Sequence, residues 1–197
     1  MTRLILAALC ASALCAGCSQ SLLVAQCPTP VDRDPHAAWT SSHGGLLPGP
    51  ETAFARRALE RVSSQLAGPQ LRIFVLRCAD PVAYSFPDGS IYISAALIHA
   101  LSDDQLAAVV AHELGHLLHD KFLTPPAALR GNIQNATGAD IESAADALGR
   151  ELLIANHIPC TALAAALTII ADRSRNSPYE PSLRARAARQ RILDAAK

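Results

Sequence analysis

The stretch LAAVVAHELGHLLHDKF, residues 106–122, limits what this chain can fold into more than any other feature of it. It is apolar, it is free of helix breakers other than one glycine, and Ser102 with Gln105 three residues on forms a capping box at its start. A helix is predicted here. His112 and His116 stand four apart, so they share one helical face. Two imidazole nitrogens so placed can serve one tetrahedral zinc ion. Glu113 is turned partly round the helix, where it can take a proton from water at the open coordination place without being a ligand. Gly115 costs helix propensity, about 1 kcal/mol relative to alanine, and close packing against a neighbouring backbone is a reason to accept it.

Two histidines and a glutamate in five residues also arise by chance. Chance is disfavoured because unpartnered His and Glu are costly to bury in an apolar helix, and because a third ligand follows. In DIESAADALG, Glu142 and Asp146 are four apart on a second helix. Glu142 can bind the ion, and Asp146 can accept the spare ring N–H of a ligand histidine. His119 lies one turn beyond His116 and is read as supporting or surface. His36 and His43 sit in a polar stretch with no ligand-like neighbour and are expected in solvent.

Along the chain, residues 51–66 carry Phe54, Ala58, Leu59, Val62 and Leu66 on one helical face, and Gly68-Pro69 ends it. LRIFVLRC reads as a strand, and a Pro-Asp-Gly turn leads into a second through Ile91, Tyr92 and Ile93. Residues 121–139 are a long polar loop, whose sequon at Asn135 is read only as loop. Helices follow at ADIESAADALGRELLIANH, at PCTALAAALTIIADRS and at PSLRARAARQRILDAAK. The last 26 residues hold seven Arg and Lys against three acids, read as a solvated basic face. Over all 197 residues, 17 basic and 17 acidic side chains balance, so no overall field points to nucleic acid.

The first 18 residues, MTRLILAALCASALCAGC, have a positive start and a short apolar run, a signal-peptide pattern. Ala16, Gly17 and Cys18 resemble a bacterial lipobox, although the position usually held by Leu is Cys15. Lipidation at Cys18 is the preferred expectation over ordinary cleavage after Ala25. It divides the chain into a signal peptide (1–17), a tether and lead-in (18–50) and a domain (51–197), exported and facing the periplasm from the outer membrane, otherwise soluble there. Cys27, Cys78 and Cys160 remain after such cleavage, and any one pair of them can bridge.

With AHELGH and ESAAD both in place, the chain resembles the gluzincin metallopeptidases. More narrowly, it is similar to the family of the CAAX prenyl endoprotease, the heat-shock protease HtpX and soluble periplasmic quality-control proteases, over about residues 51–191. Ala83 and Tyr84 fall in register with that family's turn and edge strand, with Val82 in the usual Asn position. Pro181 and Arg186 match its C-terminal segment, with Glu180 in the usual His position. The resemblance implies an α+β, mostly helical, zincin-like domain with a small β-sheet. It implies one Zn2+ held by His112, His116 and Glu142, with Glu113 as base and Asp146 as support. Tyr179 and Arg186 become candidates for supporting the site. An extended polypeptide would pair with the edge strand near Ile91–Ser94. The reaction implied is hydrolysis of peptide bonds in extended or unfolded cell-envelope polypeptides. The alternative is a non-catalytic metal-binding or chaperone-like lipoprotein on the same fold.

Overall fold

The computed structural model describes residues 33–127, 140–175 and 180–195. The expected signal segment with Cys18, Cys27, most of the loop before residue 140 and Tyr179 lie outside them. The described chain is α+β and mostly helical: α1 (Ala37–Ser42), α2 (Pro50–Ser63), β1 (Arg72–Leu76), β2 (Ala83–Ser85), β3 (Ser90–Ser94), α3 (Ala95–Ala100), α4 (Asp103–His119), α5 (Ile141–Ala155), α6 (Thr161–Arg173) and α7 (Glu180–Ala195).

Helix α4 is the axis of the domain. Its start is the predicted box: Gln105 N–H donates to the Ser102 hydroxyl, and Ser102 N–H to Gln105 Oε1 at 2.9 Å. Asp103 and Asp104 add negative charge at the positive end of the helix dipole. Every residue from Leu106 to Gly115 is buried, as a helix apolar all round must be. Helices α2, α5 and α6 and strand β2 pack around it. Helix α5 is capped by Asp140, which accepts from Ser143 N–H at 3.0 Å.

Helices α4 and α5 cross where both lack a side chain. A Cβ on Gly115 would collide with the carbonyl oxygen of Ala145, and one on Gly149 would lie 3.0 Å from the carbonyl of Ala111 and from His112 Cα. The glycine in the motif helix therefore has the expected reason: it lets α5 approach until its acids reach the histidines.

The sheet has order β1-β3-β2, with β1 and β3 parallel and β2 and β3 antiparallel across the Pro-Asp-Gly turn. Gly89 closes that turn at φ +84°, and a Cβ there would lie 2.8 Å from the carbonyl oxygen of Gln70. Ile73, Val75, Ile91 and Ile93 face the helices and join the main core. Phe74, Leu76 and Tyr92 face the other way.

Three expectations are corrected. The strand at Ile91–Ser94 is central and wholly buried, because β1 pairs along one side of it and β2 along the other; among the described residues β2 is an edge strand. His36 and His43, expected in solvent, are half-buried against aromatic rings, because residues 34–47 cover the outer face of the sheet. On the basic C-terminal helix Arg184 and Arg191 are exposed, as a solvated face requires, but Arg186 departs from it, turning inward to the buried Asp146. Cys78 and Cys160 are both free thiols and do not bridge each other.

Candidate metal centre

His112 and His116 leave the same face of α4, and Glu142 meets them from the first turn of α5. The Nε2 atoms of the two histidines are 3.1 Å apart. Glu142 Oε2 is 3.5 Å from His112 Nε2, and Oε1 is 3.6 Å from His116 Nε2. Ligand atoms about 2.0–2.1 Å from a tetrahedral zinc stand about 3.3 Å from each other. The three edges bracket that length, and two imine nitrogens facing each other this closely need a proton or a cation between them. The donor set of two nitrogens and one carboxylate oxygen suits zinc. Among the described residues this is the cluster of three that can hold an ion.

Asp146 lies one turn below Glu142 and is fully buried. Its carboxylate is 2.9 Å from His112 Nδ1, accepts from two nitrogens of Arg186 at 2.8 and 3.1 Å, and accepts from Arg189 at 2.9 Å. That fills the roughly four acceptor places of a carboxylate. Holding the Nδ1 proton on the Asp146 side turns the Nε2 lone pair of His112 toward the cluster. Arg186 also reaches Glu142 Oε2 at 2.7 Å and lies 3.2–3.3 Å from both ring nitrogens of His112.

The charges are strongly coupled. Burial pulls the His112 pKa down, but the bonds to Asp146 and Glu142 outweigh it and push it up to about 9. For Asp146, burial raises the pKa, yet His112 and Arg186 hold it well below the usual carboxylate range. Glu142 is lowered by its bond from His112 and by the Arg186 charge, and His116 by burial and by the charge on His112. An ion bound here would take that positive role from the histidine proton.

Glu113 is 6 % exposed and lines the same cleft without joining the three-residue cluster. The cleft has a volume of about 910 Å³. One wall is β2 with its lead-in Asp80–Val82, and the opposite wall is α6, through Leu163, Leu167 and Ile170. Phe86 N–H donates to Ser90 O, and Ser94 N–H to Val82 O. By the alternation of an antiparallel ladder, Ala83 and Ser85 therefore turn their own N–H and C=O toward the free edge.

Of the residues singled out from sequence, the structure brings His112, Glu113, His116, Glu142, Asp146 and Arg186 together. His119 stays outside the cluster, 3.0 Å from Asp120, in partial solvent. Arg189 and Ser143, bonded to each other at 2.6 Å, were not anticipated. The signal for Arg189 is its spacing of three from Arg186, which puts both on one face of α7.

Residues 52–131 match the model for Peptidase family M48. That span contains the sheet and the motif helix, whereas Glu142, Asp146 and Arg186 lie beyond it, and the geometry joins them to the site. The chain is also similar to a protein named Protease HtpX homolog from Acidiphilium cryptum (strain JF-5), 30% identical over 99 residues, which are 45% of this chain and 34% of that protein. The chain thus spans about a third of the length of the relative it matches.

Proposed function

We propose that this protein is a zinc-dependent endopeptidase acting on extended polypeptide. The observation that carries the reading is the convergence of His112, His116 and Glu142, from two helices, beside Glu113 in an open cleft. The match to Peptidase family M48 supports it. When bound, zinc supplies a Lewis acid for the scissile carbonyl and acidifies the attacking water. The chain's own residues do the rest. Asp146 fixes the His112 tautomer, and Arg186 and Arg189 fix Asp146. Glu113 takes the proton from the attacking water and returns it to the leaving amine nitrogen. The backbone groups of Ala83 and Ser85 offer a ladder to an extended substrate. Such pairing reads little sequence, which favours unfolded chains over a defined recognition site.

The test compares native protein with Glu113→Gln. Native protein should bind one zinc per chain and cleave unfolded casein, and the variant should keep the zinc and lose cleavage. Equal cleavage by both, or no zinc in either, would sink the reading.

We further propose that the protein is exported and lipid-anchored through Cys18, which puts its substrates in the cell envelope. This rests on the lipobox-like sequence. Among the described residues no helix is long and apolar enough to cross a membrane. Mass spectrometry of the mature N-terminus decides it: a diacylated Cys18 is expected, and a free N-terminus at another residue refutes it.

A further inference from the structure

Residues 34–47 run as a strap across the face of the sheet that points away from the helices. Its first anchor is Asp34, whose carboxylate accepts from His36 N–H at 2.9 Å, from the Thr40 hydroxyl at 2.6 Å and from the Tyr92 hydroxyl at 2.6 Å. Tyr92 is fully buried at the middle of β3, so this bond pins the strap to the centre of the sheet. At the other end Leu47 N–H donates to Val75 O at 2.8 Å, and Arg77 N–H to Gly45 O at 2.9 Å. Between the anchors lies Trp39. Its ring meets those of Tyr84, Phe86 and Tyr92, each at a centroid distance of 5.1 Å. His36 stacks on Phe86 at 4.1 Å.

Tyr84 belongs to β2 and Phe86 follows it directly. Strand β2 is three residues long, and among the described residues β3 is its one ladder partner. Its other edge opens on the cleft. A strand that short, paired on one side, has little stability of its own. The strap packs on the outer side of β2 and on the turn that follows it.

We propose that the strap is a positioning element for the substrate-binding edge. Trp39, acting through Tyr84 and Phe86, sets the height of β2 over His112 and Glu113, so that the outward backbone groups of Ala83 and Ser85 stand where an extended chain can pair with them. This rests on the peptidase reading of the cleft. The bland alternative is that Trp39 only fills a second small core, in which case its loss would lower global stability and leave β2 as it was.

The experiment uses full-length protein with Trp39→Ala, Trp39→Phe and Asp34→Asn, the last releasing an anchor without removing a core side chain. Zinc content, kcat and KM on unfolded peptides, and hydrogen exchange of the Tyr84 and Phe86 amides are measured together. Trp39→Ala and Asp34→Asn should exchange at those amides about tenfold faster and raise KM about tenfold, with kcat within about twofold and zinc unchanged. Trp39→Phe should recover most of both. If exchange and KM do not move, or if kcat and zinc fall with them, the strap is only packing and the proposal is wrong. If native protein cleaves nothing, the peptidase reading fails, and the exchange rates still decide whether the strap holds β2.

Discussion

Asp146 accepts from three side chains with none of its surface in water. A buried carboxylate is tolerable only when every lone pair is used. Removing its charge leaves Arg186 half-satisfied and lets the His112 ring change tautomer. We expect Asp146→Asn to weaken zinc binding by roughly 10–100-fold and to lower stability by roughly 3–5 kcal/mol, checked by competitive zinc titration and urea unfolding. Glu113→Gln separates the two functions of the motif. It should lower kcat by roughly 10²–10⁴-fold with unchanged zinc affinity, measured on the same protein samples. His112, Glu113 and His116 were legible because their spacing is local to one helix. Glu142 and Asp146 were legible because their helix is apolar enough that its acids needed partners. Arg189 was missed although it shares a face with Arg186, because the spacing does not say which of the helix's arginines reach an anion 43 residues away.

At the scale of elements, α4 and α5 approach through Gly115 and Gly149. Gly115→Ala gains helix propensity, about 1 kcal/mol, but forces α5 away from α4. Overpacking of this kind costs roughly 1–3 kcal/mol, and backbone is less able to yield than a side chain. The expected sign is therefore destabilisation together with weaker zinc binding, read by thermal unfolding with and without zinc. The strap makes a different prediction. Burial raises the Asp34 pKa, but its bonds from Thr40, Tyr92 and the His36 backbone prevail and lower it. A carboxylate whose folded pKa is depressed stabilises fully above its unfolded value, near 3.8, and that contribution is lost as pH falls through the folded value. The near-ultraviolet circular dichroism of the aromatic cluster should thus shift below about pH 4 in native protein, with the acid dependence reduced in Asp34→Asn. The capped motif helix and the Pro-Asp-Gly turn with the strand after it were readable from short-range chemistry, whereas the short strand before the turn was not. The centrality of β3 was not. Its partner β1 is parallel, and a parallel register is set by packing, with no turn signature to announce it. The burial of His36 and His43 was not readable either, because the rings that cover them are supplied by Phe86 and Trp39 and no local pattern announces that packing.

For the whole molecule, the coupling of site to fold should make zinc a stabiliser. The ligands come from two helices that enclose the core, so an ion bound only by the folded state adds about 4 kcal/mol at a thousandfold excess over Kd. Removing it with a chelator should lower Tm by roughly 8–16 °C for a chain of this length, reversibly on adding zinc back. A chelator-insensitive Tm would mean that the histidine and carboxylate cluster holds no ion in solution. The α+β class was expected from the family resemblance, and the structure has it, with three strands grouped together in the chain and helices on both sides of them. What sequence could not supply was how the sheet is covered on its second side, which depends on a segment with no regular periodicity.

The paired glycines have one more consequence. Because α4 and α5 touch backbone to backbone, the gap between the histidines and Glu142 works as a fixed gauge, machined by two absent methyl groups. A side chain at either position would open the gauge, so these two places, which touch no ion themselves, are where a change of preferred ion toward a larger radius would be written.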